Sequence, residues 1–371
     1  MTFEVMAKED GSDELFTRLR LSRRARLFAA MEAESLDVLV LGRTPSVRYA
    51  CGARLLWRPG AFAFAPLCIV VRSTKRIHLL STWDDGIPEE IGRENLYGLF
   101  WNPVHLIAAL QSIPGLDSAS SIGTDSATPG TEHLLSLLSP SAEFRDAASL
   151  LEEVRQRKDA DELTCLTRAL ALAEEGYDVM RGLLHTEVSE RTLAARFFER
   201  VCELGSPTPA SESVVSKNAQ FGGTPHSRRL EAGDLVTFTP SALYAGYEGG
   251  FGRTIEVGPP TQRNQELIAS TETSCHQLIE RCVPGATGRT LVADGEALGL
   301  GPEQLLIHGL GLGAEWPLLG FGMGAHLRLE TGMVLSVHVR RDDADGRAAL
   351  HKEMVQITDD GPVTLSRKAG Q

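Results

Sequence analysis

An α+β fold in two parts is what the sequence predicts, on three observations. Residues 1–149 mix strand-like and helix-like runs, as an α/β unit of ordinary domain size does. A long charged helical stretch opens at Leu150. Beyond Ser211 the pattern turns to short β-rich runs, without the strict βα alternation that a doubly wound sheet requires. The domain boundary is therefore expected just before the charged stretch, giving units 1–149 and 150–371.

The elements follow in chain order. SRRARLFAAMEAESL sets Leu27, Met31 and Leu36 at helical spacing, and DVLVLG after it has the pattern of a short buried strand. APLCIVV and RIHLLS are the next strands, and VHLIAALQSI is a helical run. SLLEEVRQRKDADELTCLTRALALAEEGYDVMRGLL keeps Leu163, Leu166, Leu170 and Leu172 at helical spacing throughout and reads as one helical stretch. SERTLAARFFERVCELG is a further helix, with Ser189 as N-cap and Thr192 where a Glu would complete a capping box. The strands ESVVS, DLVTFT, ALYAGY, RTIEVG, MVLSVHV and EMVQIT come next, interrupted by a helix from Gln262 to Arg281 and a short segment from Gly285 to Leu298.

The totals exclude several classes. A chain of 371 residues is long enough to bury two cores. Its net charge of −12 speaks against binding nucleic acid, which needs basic patches to neutralise phosphates. No apolar run reaches bilayer length, and MTFEVMAKEDGSDELF lacks the order of an export signal, so a cytoplasmic protein with no membrane partner is expected. Six cysteines are scattered without a CxxC pair, as reduced thiols are. The glycines of HGLGLG have no βαβ unit around them and no following acidic residue, so they do not form a dinucleotide loop.

Several landmarks then fall in one order: RQRKDADEL from Arg155, SVVSKNAQFGGTPHSRRLEAGDLVTF, AGYEGGFGRTIEVG, IHGLGLGAEWP, ETGMVLSVHV and KEMVQITDDG. Together they resemble the creatinase/aminopeptidase family, the pita-bread fold, weakly before Leu150 and firmly after it. The resemblance implies an N-terminal α/β domain, a C-terminal pita-bread domain, and a homodimer whose active sites lie at the subunit interface.

The family's aminopeptidases hold two divalent ions with two Asp, one His and two Glu, whose carboxylates are hard oxygen donors that bridge and neutralise the pair. At those positions the resemblance places Thr239, Gly250, His308 and His338, with the last falling on Lys352, or on Glu353 after a one-residue slip. Which of the two occupies it stays open. A dinuclear site is not expected. A single ion on His308, His338 and Glu353 stays chemically open.

The expectation drawn from this is a metal-independent, creatinase-like enzyme with no cofactor. It would cleave a C–N bond, by hydrolysis or elimination, in a small polar molecule bearing a carboxylate. His226, in the loop that carries the proton-shuttling His of creatinase, would be the general acid/base, because imidazole titrates near neutrality. Glu353 would orient substrate or water, and His308 and His338 would line the former metal cavity. Arg54, Arg58 and Arg328 are carboxylate-binding candidates, with Arg48 beside them, since guanidinium grips a carboxylate through two parallel hydrogen bonds. Glu248 and Trp316 complete the substrate-contacting set, while His276, His326, His351 and Tyr247 carry no functional assignment. Two alternatives stand beside this reading: a non-catalytic pita-bread binding protein, and an Xaa-Pro aminopeptidase-type metallopeptidase. Metal analysis separates the last of these from the others.

Overall fold

Each strand pattern finds its partner in the computed structural model. It describes residues 13–53, 67–81, 84, 86–98, 100, 102–126, 129–206, 215–217, 219, 225–320 and 324–367. The chain separates into two units, Met1–Arg155 and Gln156–Gln371. The whole is a mixed α+β fold.

In the first unit, the four-residue runs VLVL and CIVV are buried along their whole length, as strands covered on both faces must be. They form β1 (Val38–Leu41) and β2 (Cys68–Val71), followed by β3 (Arg76–Leu80), β4 (Leu96–Tyr97), β5 (Ser121–Thr124) and β6 (Glu143–Asp146). The sheet order is β4-β3-β2-β1-β5-β6, with the β1–β5 and β5–β6 pairs parallel and the β1–β2–β3 run antiparallel. Helices α1 (Asp13–Ala33), α2 (Thr44–Cys51), α3 (Pro103–Gln111) and α4 (Pro129–Leu138) fill the connections.

The charged stretch is not one helix. It breaks into α5 (Ala148–Gln156) and α6 (Ala160–Gly182), because Asp159 and Glu162 form a reciprocal capping box that starts a new helix there. Glu162 is buried and also accepts from the Tyr247 hydroxyl at 2.6 Å, which ties the start of α6 to the strands beneath it. Just ahead of the box, Lys158 Nζ reaches Glu315 Oε2 at 2.8 Å, with both side chains buried. Helix α7 (Glu190–Glu203) begins at Ser189, whose hydroxyl accepts from the Thr192 amide.

The second unit is antiparallel throughout its sheets. Strands β7 (Val215–Lys217), β8 (Leu235–Phe238) and β11 (Arg253–Glu256) form one sheet in the order β11-β8-β7. The run ALYAGY is a hairpin rather than one strand: β9 (Ser241–Tyr244) turns into β10 (Tyr247–Gly250) through Ala245 and Gly246, both at positive φ. After helices α8 (Gln262–Ile279) and α9 (Gly288–Ala297) come β12 (Leu305–Gly311), β13 (Gly313–Leu319), β14 (Val334–Asp342), β15 (Ala348–Thr358) and β16 (Gly361–Thr364). These five pair in the order β13-β12-β14-β15-β16. The glycines of HGLGLG thus lie in a strand, and a Cβ on Gly309 would come within 2.4 Å of the Trp316 carbonyl oxygen.

Alternation along β14 and β15 sorts their side chains onto two faces. Val337, Leu335, Val355 and Ile357 pack with Cys275 and Leu278 of α8 into the main core of this unit. The even-numbered residues face the other way, and there the polar groups gather.

Candidate functional site

Pairing between β12, β14 and β15 builds the site. Ser336 stands opposite His308, and His338 stands opposite Lys352. The four side chains therefore share one face, and all are buried, Lys352 to 1 % exposure. The His308 and His338 rings lie 5.2 Å apart, tilted by 52°. His308 Nδ1 donates to the Gly309 carbonyl at 2.9 Å, and the Ser336 hydroxyl lies 2.8 Å from His338 Nε2. Burial pushes the His338 imidazole well below its usual pKa, and the charges of Lys352 and His308 add to the effect. His338 is a neutral base at neutral pH.

The two remaining positions of the family's metal pair carry no carboxylate, and Gly250 has no room for one. Thr239 offers only a hydroxyl and is half-buried. Gly250 pairs with Ser241, and a Cβ there would lie 2.6 Å from Ser241 Cβ and 2.8 Å from the Pro240 carbonyl oxygen. Thr239, Gly250, His308, His338 and Lys352 hold no carboxylate between them, so they do not fit a pair of dications. Gly250→Asp is accordingly expected to lower stability by about 2 kcal/mol through overpacking. An unchanged urea midpoint would show that the hairpin has room for the side chain.

Glu353 points to the opposite face of β15 from Lys352. It accepts from Arg253 Nη2 at 2.7 Å, lies 2.8 Å from His351 Nε2, and accepts a short bond from the Ser366 hydroxyl. His276 Nε2 is 3.8 Å away, a charge contact rather than a hydrogen bond. Burial raises the Glu353 carboxyl, but its contacts with His276 and His351 and the Arg253 charge outweigh that and hold it down to about 2. Glu353 is thus not brought together with His308 and His338, and the residue facing His338 is Lys352.

Glu353 has other company. Glu272 and His276, one helical turn apart on α8, come together with His351 of β15, their donor atoms within 4.8 Å of one another. Two imidazoles and one carboxylate make a set that could hold a single metal ion. The sequence reading left His276 and His351 without a role. The E-x-x-x-H spacing of Glu272 and His276 was the signal available for two of the three residues.

The other sequence-derived candidates lie on separate elements. His226 is exposed, and its loop is stapled to the start of α7: the His226 amide donates to Glu190 Oε2 at 2.9 Å, and its carbonyl accepts from the Arg191 amide at 3.0 Å. Glu248 is buried in β10. Trp316 is half-buried in β13, beside the bulge between His308 and Gly309. Arg328 and His326 are exposed, and Arg48 lies in α2 of the first unit. Arg54 and Arg58 lie outside the described residues.

Comparison with known proteins places this geometry. The model of metallopeptidase family M24 matches residues 164–364. The Xaa-Pro dipeptidase of Pyrococcus horikoshii is 23% identical over 324 residues, covering 84% of this chain and 87% of that protein. Among solved structures, the Xaa-Pro dipeptidase from Bacillus anthracis superposes with a TM-score of 0.77 at 20% identity, over 95% of this chain and 99% of that one. X-Pro aminopeptidase from Thermotoga maritima gives 0.77 at 16% identity, over 93% and 97%. At such identities the structural likeness shows the fold alone: an N-terminal α/β domain and a C-terminal pita-bread domain. These matches, with the Glu272–His276–His351 group, overturn the expectation of a creatinase-type, metal-independent enzyme for C–N bonds. The family is one of metallopeptidases, and a candidate cation group stands on α8 and β15.

Proposed function

This chain belongs to metallopeptidase family M24, and from that premise we propose that it hydrolyses the Xaa-Pro bond of short peptides with the help of a divalent cation. The observation that carries the reading is the family match across most of the second unit, joined to relatives named as Xaa-Pro dipeptidases. No step is routed through a dinuclear pair, because the residues at its positions do not fit one. The set that fits one ion is Glu272, His276 and His351 on the α8-facing side of β15, and a dication bound there would supply fixed positive charge that holds His351 and its strand in place.

The chain's own residues have assignable work. His338, kept neutral by burial, accepts a proton from the attacking water. Lys352 and His308 place positive charge and an imidazole beside the oxyanion that forms on the scissile carbonyl. His226, exposed on its stapled loop, returns a proton to the departing proline nitrogen. Glu353 orients His351 and the β15 backbone, while Glu248, Trp316 and Arg328 hold the rest of the peptide. A homodimer with sites at the subunit interface, a cytoplasmic location and domains at 1–149 and 150–371 belong to the same proposal. Among the described residues no helix is long and apolar enough to cross a membrane.

Purified protein is expected to cleave Xaa-Pro dipeptides when zinc, manganese or cobalt is supplied, and to lose that activity to a chelator. His338→Ala should lower kcat about 100-fold, as loss of a general base does. Absence of cleavage with every cation tried would overturn the reading in favour of a non-catalytic pita-bread binding protein.

A further inference from the structure

Glu272, His276 and His351 are not at the positions the family uses for its metal pair, and they face away from His308, His338 and Lys352. We propose that they form a separate mononuclear site for a zinc-class dication, seated between α8 and β15 on the sheet face opposite His308, His338 and Lys352. It rests on the family reading only for where a metal pair would lie, and the geometry of the three donors stands without it.

Glu272 and His276 are four residues apart, so both point from one side of α8. His351 rises from β15 directly against that side, its ring 5.2 Å from the His276 ring and nearly perpendicular to it. His351 is buried, whereas His276 is half exposed, which leaves the ion's remaining positions open to water. Imidazole and carboxylate together suit zinc, cobalt or nickel better than calcium or magnesium, which prefer all-oxygen cages. Such a histidine ligand is commonly held by a carboxylate behind it. Glu353 stands 2.8 Å from His351 Nε2 and fills that place.

The site is wired to the strand that carries Lys352. Glu353 also accepts from Arg253, and Arg253 Nη1 donates to the Gly252 and Lys352 carbonyls at 2.8 and 2.9 Å. An ion that fixes His351 therefore fixes Glu353 and Arg253, and through them the backbone on which Lys352 is mounted. The ion acts as a positioning group from the far face.

Titration of the chelator-stripped full chain with Zn²⁺ against a chromophoric competitor tests this, with visible absorption of the Co²⁺ form as a second readout. One equivalent is expected to bind and to raise the thermal midpoint. Glu272→Ala and His276→Ala should each weaken binding at least about tenfold, since losing even an outer partner of a ligand costs that much. Both side chains are partly or largely exposed, so the variants should fold as the parent does. Unchanged affinity in the double variant would overturn the proposal. So would loss of the equivalent in His308→Ala with His276→Ala silent, because the ion would then sit beside His308 and His338. Zinc bound at His276 without peptide cleavage would leave this site standing and remove the peptidase reading. Cation-dependent cleavage with no saturable zinc at His276 would do the reverse.

Discussion

Replacing Glu353 by glutamine is expected to cost the fold about 3 kcal/mol, because it leaves the buried Arg253 guanidinium without its counter-charge. Glu353 is 3 % exposed and serves Arg253, Ser366 and His351 at once, so no rearrangement toward water compensates for the loss. The same group sets an acid limit. Its carboxyl is held at about 2 in the fold against an ordinary value of 4.5. A depressed folded-state pKa contributes stability that is complete above the unfolded value and lost as pH falls through the folded one. Stability should therefore drop between about pH 4.5 and pH 2, by on the order of 3 kcal/mol from this residue. Urea unfolding across that range checks it. The Glu353→Gln protein should lose much of the acid slope, and an identical slope in both proteins would mean that Glu353 is not the group responsible.

Gly249→Ala is the second large effect, and it comes from space rather than charge. A Cβ on Gly249 would lie 2.2 Å from the Leu170 amide nitrogen and 2.7 Å from the Ala169 carbonyl carbon, both backbone atoms of α6. A flexible side chain could step aside, but a helix backbone cannot. The hairpin β9–β10 must move off α6, which also strains the Tyr247–Glu162 bond one strand position pair away. About 3 kcal/mol of destabilisation is expected, at the upper end of overpacking by one methyl group. A thermal or urea midpoint within error of the parent would show that α6 and β10 are not in this contact.

Much of the fold was legible because its signals are local. The buried tetrads of β1 and β2, the N-cap at Ser189 and the α8 pattern from Gln262 each sit within a few residues of chain. The single helical stretch across residues 149–184 failed on an equally local feature: Asp159 and Glu162 satisfy each other's amides and restart the helix. ALYAGY was divided by two positive-φ residues that apolar periodicity does not register. The metal-free expectation weighed the replaced positions Thr239, Gly250 and His338 heavily and had no view of α8 against β15. Family membership and the Glu272–His276–His351 group corrected it.

By itself the sequence determined the α+β class, the order of motifs and the absence of carboxylates at Thr239, Gly250, His308 and His338, since all of these are written in residue type and short spacing. The tertiary structure alone decided that Lys352 faces His338 while Glu353 faces His351. A strand's side chains alternate, so a one-residue slip exchanges faces, and only hydrogen-bonded pairing with a neighbouring strand fixes the register. Assembling Glu272, His276 and His351 likewise required α8 to be docked on β15. That meeting is produced by burial of the shared apolar core, and no local pattern in the chain encodes it.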